Sequence, residues 1–585
     1  MNARHILGQT CLLVAACLAV PALAHQQRAI DAEPELVSGY IEKTVVTAKN
    51  YMVVAAHPLA VAAGMKMLDA GGSATDAAIA VQMVLNLVEA QSSGIGGGAF
   101  MIHFDAKKNT VNAYDGREVA PMGVTPELFL NKDGKPIRFA NAVAGGRSVG
   151  VPGVLRMLEL AHARHGKLPW SRLFDPAIAL AEKGFPISLR THLQLAGDTA
   201  LAADPRAHAY FYLPDGSPKP RGAILKNPEF AVVLKRIARE GPDAFYLGPI
   251  ARDMVAAVRL HTTNPGSLSE QDLRDYRART VEPVCGKYRA YKICGMPPPS
   301  AGGIAILQIL GALERFDMKA VSPGSVEAIH LITEAERLAY ADRERFAGDD
   351  RFTSVPVAGL ISPSYNRHRG ELIRLEKTMG RAEAGMPAGT HTALADGESL
   401  EFPSTSQISI VDSAGNAISM TTSIESGLGS RIFVHGFLLN NQLTDFSMTP
   451  VVDGRAVANG VYPGKRPRSA MSPTLVFDDR GRLYMVLGSP GGPPIIYYVA
   501  KTLIAALDWG MDMQSAISLP NFGSRNGPTE IEKGTPLENL LGPLKSMGHE
   551  VRTIDMISGL HGIMRTSLGW QGGADPRRDG IAKGK

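Results

Sequence analysis

Residues 401–425, EFPSTSQISIVDSAGNAISMTTSIE, decide how the rest of the chain is read. TSQISIVD (405–412) and AISMTTSI (417–424) are short runs rich in β-branched residues with partial alternation, and SAGN between them is a turn signal. That pattern predicts a β-hairpin. Pairing outward from a four-residue loop sets Thr405 opposite the stretch from Ser423 to Glu425. Pro403 restricts its own backbone and that of Phe402, so Ser404-Thr405 marks the passage from irregular chain into a strand. If the chain were cut there, Thr405 would own a hydroxyl and a free α-amine, a nucleophile with its base in the same residue. A threonine at the head of a strand is also ordinary, because Thr is a favoured strand residue.

The composition is that of a globular protein: 585 residues, 45% hydrophobic and 20% charged, with a net charge of +5. Length alone allows about four domains at roughly 150 residues each. No Ser/Gly or Pro-rich linker, charge block or repeat divides the chain, so one large domain is expected. No basic face interleaved with aromatics is present, which argues against nucleic acid as a partner. His162 and His165 sit three apart on an expected helix without a carboxylate or Cys to complete a metal set, and read as solvated surface.

The N-terminus has the pattern of a secretory signal: Arg4, an apolar run from Cys11 to Val20, and Ala22-Leu23-Ala24 as a small-x-small site. Cleavage after Ala24 is preferred over a lipoprotein signal ending at Cys17, which would leave a very short apolar run. No other stretch is apolar enough to span a bilayer, so the mature chain is expected in the periplasm or outside the cell. Only Cys285 and Cys294 then remain, in VCGKYRAYKICG, two short strands around a turn. A disulfide and a pair of buried thiols both fit them.

HPLAVAAGMKMLDAGG (57–72) and SATDAAIAVQMVLNLVEAQSSG (73–94) read as helices buried over most of their surface, the second opened by a capping box from Ser73 to Asp76. SGIGGGAF (93–100) leaves a helix and enters the strand AFMIHFD, the reverse of a dinucleotide-binding loop. Its glycines read as permitting close backbone approach. Arg117, beside Glu118 after the strand TVNAYD, is either a surface ion pair or a carboxylate clamp. Residues 325–346 read as a long helix whose charges form a solvated face, and residues 376–402 as polar, aperiodic chain that becomes the mobile end of a large fragment after cutting. Near the C-terminus, HEVRTIDM and HGIMRTS read as a strand pair.

The hairpin, together with LLNNQLTDFS (438–447), KRPRSAMSPT (465–474) and GSPGG (488–492), resembles the γ-glutamyltransferase family, also called γ-glutamyltranspeptidases. These are N-terminal-nucleophile hydrolases made as one precursor that cuts itself before a Thr. The resemblance implies an α+β fold, a four-layer αββα sandwich. It implies cleavage between Ser404 and Thr405 into a large chain, 25–404, and a small chain, 405–585, held as a heterodimer after removal of residues 1–24. It makes Thr405 the nucleophile, Ser423 its supporting hydroxyl, and Gly491 and Gly492 the oxyanion hole. Arg117 and Ser469 would hold the substrate α-carboxylate and Gln442 and Asp445 its α-ammonium, to which the Glu425 carboxylate, a departure from the family, would add a tighter hold. The substrate would be glutathione or a similar γ-glutamyl amide, with no metal or cofactor required.

The sequence departs from the family pattern at several points. Glu425 stands where many members have Asn, Ser423 where many have Thr, and Ala470 where many have Ser. Pro493-Pro494 stand where many have Ser-Arg, and the lid loop 448–464 is short. Two rival readings remain at this point: a glutaryl or cephalosporin-type acylase of the same superfamily, and a processed but inactive binding protein.

Overall fold

The computed structural model describes residues 39–585 except 392, 398, 400 and 403. The expected signal, with Cys11 and Cys17, lies outside the described residues.

Two seven-stranded antiparallel sheets form the centre. Their strands, in chain order, are β1 (Val46–Ala48), β2 (Met52–Ala55), β3 (Gly98–Asp105), β4 (Thr110–Gly116), β5 (Arg279–Val281), β6 (Val284–Tyr288), β7 (Tyr291–Gly295), β8 (Ser406–Val411), β9 (Ala417–Ser423), β10 (Thr474–Phe477), β11 (Leu483–Gly488), β12 (His561–Thr566), β13 (Gly569–Ala574) and β14 (Ile581–Gly584). One sheet has the order β14-β2-β8-β9-β3-β4-β5 and the other β1-β13-β12-β11-β10-β7-β6. Both sheets mix strands from before and after residue 405. A cut at that point would leave two chains sharing two hydrogen-bonded sheets, so both belong to one folding unit.

The hairpin is β8-β9, with Ser406 opposite Thr422 and Val411 opposite Ala417. Its alternation assigns the layers. Ile408, Ile410, Ile418 and Met420 point to the helices α1 (Pro58–Asp69) and α2 (Ala74–Val88), in one apolar core. Each such buried side chain contributes about 1.5–3 kcal/mol. The opposite face meets the second sheet through polar groups. Ser409 Oγ donates to the His561 carbonyl at 2.9 Å and Ser419 Oγ to the Leu487 carbonyl at 2.8 Å, while Thr421 Oγ1 donates to Gln407 Oε1 at 2.7 Å within the hairpin. Apolar neighbours on the same face, Met52, Val54, Phe100 and Ile102, join a second core with α3 (Gly302–Leu313), α4 (Val326–Phe346) and α5 (Ile495–Leu507). The layers are therefore helix, sheet, sheet, helix, the αββα sandwich.

The capping box is present: Ser73 Oγ accepts from the Asp76 N–H and Asp76 Oδ2 from the Ser73 N–H. The glycine run packs backbone on backbone, as its composition implied. A Cβ on Gly97 would lie 2.1 Å from the Ser423 carbonyl oxygen. Gly97→Ala should therefore displace the end of β9, destabilising the fold by about 1–3 kcal/mol; thermal melts of the two proteins measure this.

Cys285 and Cys294 face each other across β6 and β7 and are joined as a disulfide.

Three expectations are corrected. The charges of α4 are not solvated: Glu334, Glu336, Arg337, Asp342 and Arg343 are buried. They are paired within the protein, as in Arg337 Nε to Glu334 at 3.0 Å, and met by other parts of the chain: Glu334 accepts the Met379 N–H at 2.7 Å and Glu336 the Ser524 N–H at 2.8 Å. HEVRTIDM and HGIMRTS do not pair with each other. Val551–Ile554 joins a small separate sheet in parallel with Thr529–Glu532, while β12 pairs with β11 and β13. His162 and His165 are half-buried, with His162 Nε2 2.9 Å from the Leu168 carbonyl and His165 Nε2 2.6 Å from the Tyr114 hydroxyl. In the uncut chain two points of the stretch expected to become mobile after cutting are tied down: Thr378 N–H donates to the Met547 carbonyl, and Ala395 bridges to Val457.

Candidate active site

Thr405 enters the sheet next to Ser423, and its Oγ1 donates to Ser423 Oγ at 3.0 Å. Ser423 Oγ also accepts the Glu425 N–H at 2.8 Å, which fixes that oxygen as an acceptor facing Thr405. The Ser404 carbonyl, on the peptide bond expected to break, accepts the Gly491 N–H at 3.1 Å. Thr405 itself has φ +95°. A β-branched residue in that region is a true outlier, and such backbone costs about 1–3 kcal/mol. Hydroxyl, strained peptide and a donor on its carbonyl thus meet at one bond.

The surrounding cavity is lined by residues from distant parts of the chain, among them Arg117, Thr405, Ser423, Glu425, Gln442 and Asp445, with Ser469, Ala470 and Gly492 completing the wall. Every site residue expected from the sequence except Gly491 and Ser404 lines it, and those two are bonded to each other beside it. In the uncut chain Glu401 and Phe402 also line the space, which narrows to about 20 Å³, room for one water.

Arg117 is not a surface residue. It is buried and pairs with Asp445, with Glu118 3.7 Å away. Its Nε donates to the Pro467 carbonyl at 3.2 Å and its Nη2 to the Arg468 carbonyl at 2.7 Å. Burial opposes its charge, but Asp445 and Glu118 more than offset that and hold the guanidinium above its usual range. Burial pushes Glu118 up to about 8. Gln442 and Asp445 lie on a 3-10 turn, Gln442–Asp445, so their spacing of three brings both to the cavity, with Gln442 Nε2 donating to Asp445 Oδ2 at 2.7 Å. Asp445 Oδ1 and Gln442 Oε1 remain buried without a hydrogen-bond partner. Glu425, at φ +79°, accepts the Phe402 N–H at 2.9 Å and Asn441 Nδ2 at 2.6 Å. Burial first, then the Asp445 carboxylate, hold Glu425 well above the usual carboxylate range. Ser469 Oγ accepts the Met471 N–H at 3.1 Å, and its carbonyl accepts the Ala301 N–H at 2.9 Å, which ties it to the 297–303 turn.

Sequence reasoning passed over three groups here. Asn441, within LLNNQ, braces Glu425. Glu401 is buried against Arg343 and Arg468. Arg578, in the C-terminal tail, donates to the Thr405 carbonyl at 3.3 Å. The quoted stretches contain Asn441, Glu401 and Arg468, but only the fold brings Glu401 and Arg343 to Arg468. Among the described residues one cluster has ligand atoms near enough to hold a metal: His330, Glu334 and His549. Those groups already bond one another and their surroundings, His330 Nδ1 to His549 Nε2 at 2.8 Å and His330 Nε2 to the Arg374 carbonyl at 2.6 Å.

Comparison with known proteins gives the family. The γ-glutamyltranspeptidase family model matches residues 60–585. A glutathione hydrolase proenzyme of Bacillus subtilis (strain 168) is 37% identical over 556 residues, 93% of this chain and 92% of that protein. The Acylase ACY 1 proenzyme of Pseudomonas sp. (strain SE83) is 35% identical over 538 residues, 90% of this chain and 91% of that protein. The crystal structure of a cephalosporin acylase from Bacillus halodurans superposes with a TM-score of 0.82 at 26% identity, covering 94% of this chain and 99% of that one.

Proposed function

The chain belongs to the γ-glutamyltranspeptidase family, and from that premise we propose that it is a self-processing γ-glutamyltransferase and glutathione hydrolase. Thr405 Oγ attacks the Ser404 carbonyl carbon, the C–N bond breaks, and the hydroxyl proton ends on the freed Thr405 amine. Water then hydrolyses the ester, releasing Ser404 as a carboxylate. The products are a large chain, 25–404, and a small chain, 405–585, that stay together as a heterodimer, exported to the periplasm or beyond.

In turnover Thr405 Oγ attacks the γ-amide carbonyl of glutathione or a similar donor, and the Thr405 amine passes the proton to the departing amine. Gly491 and Gly492 stabilise the oxyanion, and Ser423 orients the hydroxyl. The γ-glutamyl ester is then taken by water or by the amine of an amino acid. Arg117 and Ser469 serve the α-carboxylate.

The observation behind the substrate reading is a pair of buried acceptors without donors, Asp445 Oδ1 and Gln442 Oε1. Unpaired buried acceptors are costly, and an ammonium supplies three donors at once. Glu425 adds a third acceptor group once the Phe402 N–H withdraws. A γ-glutamyl group carries that ammonium and a glutaryl group does not.

The likeness to acylases keeps glutaryl amides as a second reading. Comparing kcat/KM for L-γ-glutamyl and glutaryl 4-nitroanilides decides between them. The γ-glutamyl donor is expected to be favoured by about tenfold or more, one well-placed charged hydrogen bond. A glutaryl preference would overturn the substrate; mature protein that binds glutamate but hydrolyses neither donor would mark an inactive relative.

A further inference from the structure

Beside the cavity, two buried guanidinium groups converge on one carboxylate. Arg343 Nη2 and Arg468 Nε both face Glu401 Oε1, the first in direct contact and the second at 3.7 Å. Arg468 is wholly buried and Arg343 nearly so. Burial would raise Glu401, yet the two arginines together hold it below its usual range. Their other anion is shared: Glu344 pairs with both. The Nε–H groups of Arg343 and Arg468 are buried donors without a hydrogen-bond partner.

Glu401 lies four residues before the bond that self-cleavage would break. In the uncut chain Glu401 and Phe402 line the cavity. Cutting turns this segment into a chain end, and a substrate can enter only if that end withdraws. Ser399, which accepts from Arg468 Nη2 at 2.7 Å, lies on the same segment. What remains is two buried cations against one carboxylate, with two unpaired donors. Such a site requires an anion.

We propose that Arg343 and Arg468 form a carboxylate subsite, occupied by Glu401 before cleavage and by the carboxylate of the donor's acyl group afterwards. The inference rests on the self-processing γ-glutamyl reading above. Arg117 has its Nε and Nη2 committed to the Pro467 and Arg468 carbonyls and to Asp445, so it needs help to hold a second carboxylate. Ala470 stands in the cavity wall where a serine would add a hydroxyl, and the Arg468 guanidinium lies behind Glu401, which lines that cavity, so it faces the space once Glu401 withdraws. Glu401 is then a built-in stand-in for substrate.

The test crosses the arginine with the donor carboxylate. Wild type, Arg468→Lys, Arg468→Leu and Arg343→Lys are first checked for cleavage by intact mass. Each is then assayed with L-γ-glutamyl-4-nitroanilide and with 4-aminobutyryl-4-nitroanilide, the same donor without its carboxylate. The expected result is that each substitution lowers the kcat/KM ratio between the two donors by about tenfold or more, the loss of a charge-assisted contact. Substitutions that lower both donors by the same factor overturn the subsite, since the pair would then only hold the fold. Failure of all three variants to cut overturns it for the same reason. A wild type that stays uncut, or that ignores both donors, refutes the γ-glutamyl reading itself and is a distinct outcome.

Discussion

Thr405→Ala is expected to leave one continuous chain where the wild type yields two, meeting at Ser404-Thr405, and to lose at least roughly 10³-fold in γ-glutamyl hydrolysis. The substitution removes the one hydroxyl that faces both Ser423 Oγ and the strained peptide. It leaves the sheet intact, because Thr405 precedes the first β8 pair, Ser406 with Thr422. Cleavage and turnover fail together for different reasons. Without the hydroxyl there is no acyl shift, and without the cut the α-amine is still an amide nitrogen that cannot act as a base. The segment through Glu401 and Phe402 also stays in the cavity, so γ-glutamyl donors should not bind measurably. Intact mass under denaturing conditions, beside an activity assay, measures both. A wild type equally uncut would reduce the catalytic reading to an analogy between folds.

The parts legible in the sequence were those set by local rules. The hairpin register followed from strand periodicity and a turn, and it put Thr405 beside Ser423. The capping box at Ser73 and the close approach at Gly97 followed from residue type alone. The parts that were not legible depend on which segments meet. The charges of α4 look solvated in one dimension, because 3.6-residue periodicity does not distinguish a face toward water from a face toward buried partners. β14 pairs with β2 across almost the whole chain, and no local signal in the tail announces it. The Glu401–Arg343–Arg468 cluster joins a long helix, an irregular stretch and a catalytic motif, each unremarkable alone. The reading of Arg117 needed the family pattern, since a lone Arg-Glu dipeptide is more often surface.

Gly491→Ala tests the electrostatic half of the site and is expected to slow self-cleavage by about 10²–10³-fold, the effect of losing one oxyanion donor. Gly491 has φ +133°, a backbone that side-chain-bearing residues rarely adopt. A Cβ there would also stand 2.9 Å from Tyr498 Cε2, on a ring that is itself buried. Relaxation must therefore rotate the 491 peptide, and its N–H, now 3.1 Å from the Ser404 oxygen, would leave that line. Because the acyl shift and γ-glutamyl transfer develop negative charge on an oxygen at the same place, both should fall by similar factors. The precursor's half-life and the kcat of whatever fraction matures give the two numbers. A mutant that folds, shown by an unshifted melting temperature, yet matures at the wild-type rate would separate the Gly491 N–H from the chemistry and leave Gly492 as the donor to examine. A mutant that matures slowly but turns over normally would mean the donor serves the strained peptide alone, so that self-cleavage and turnover use different oxyanion contacts around one nucleophile.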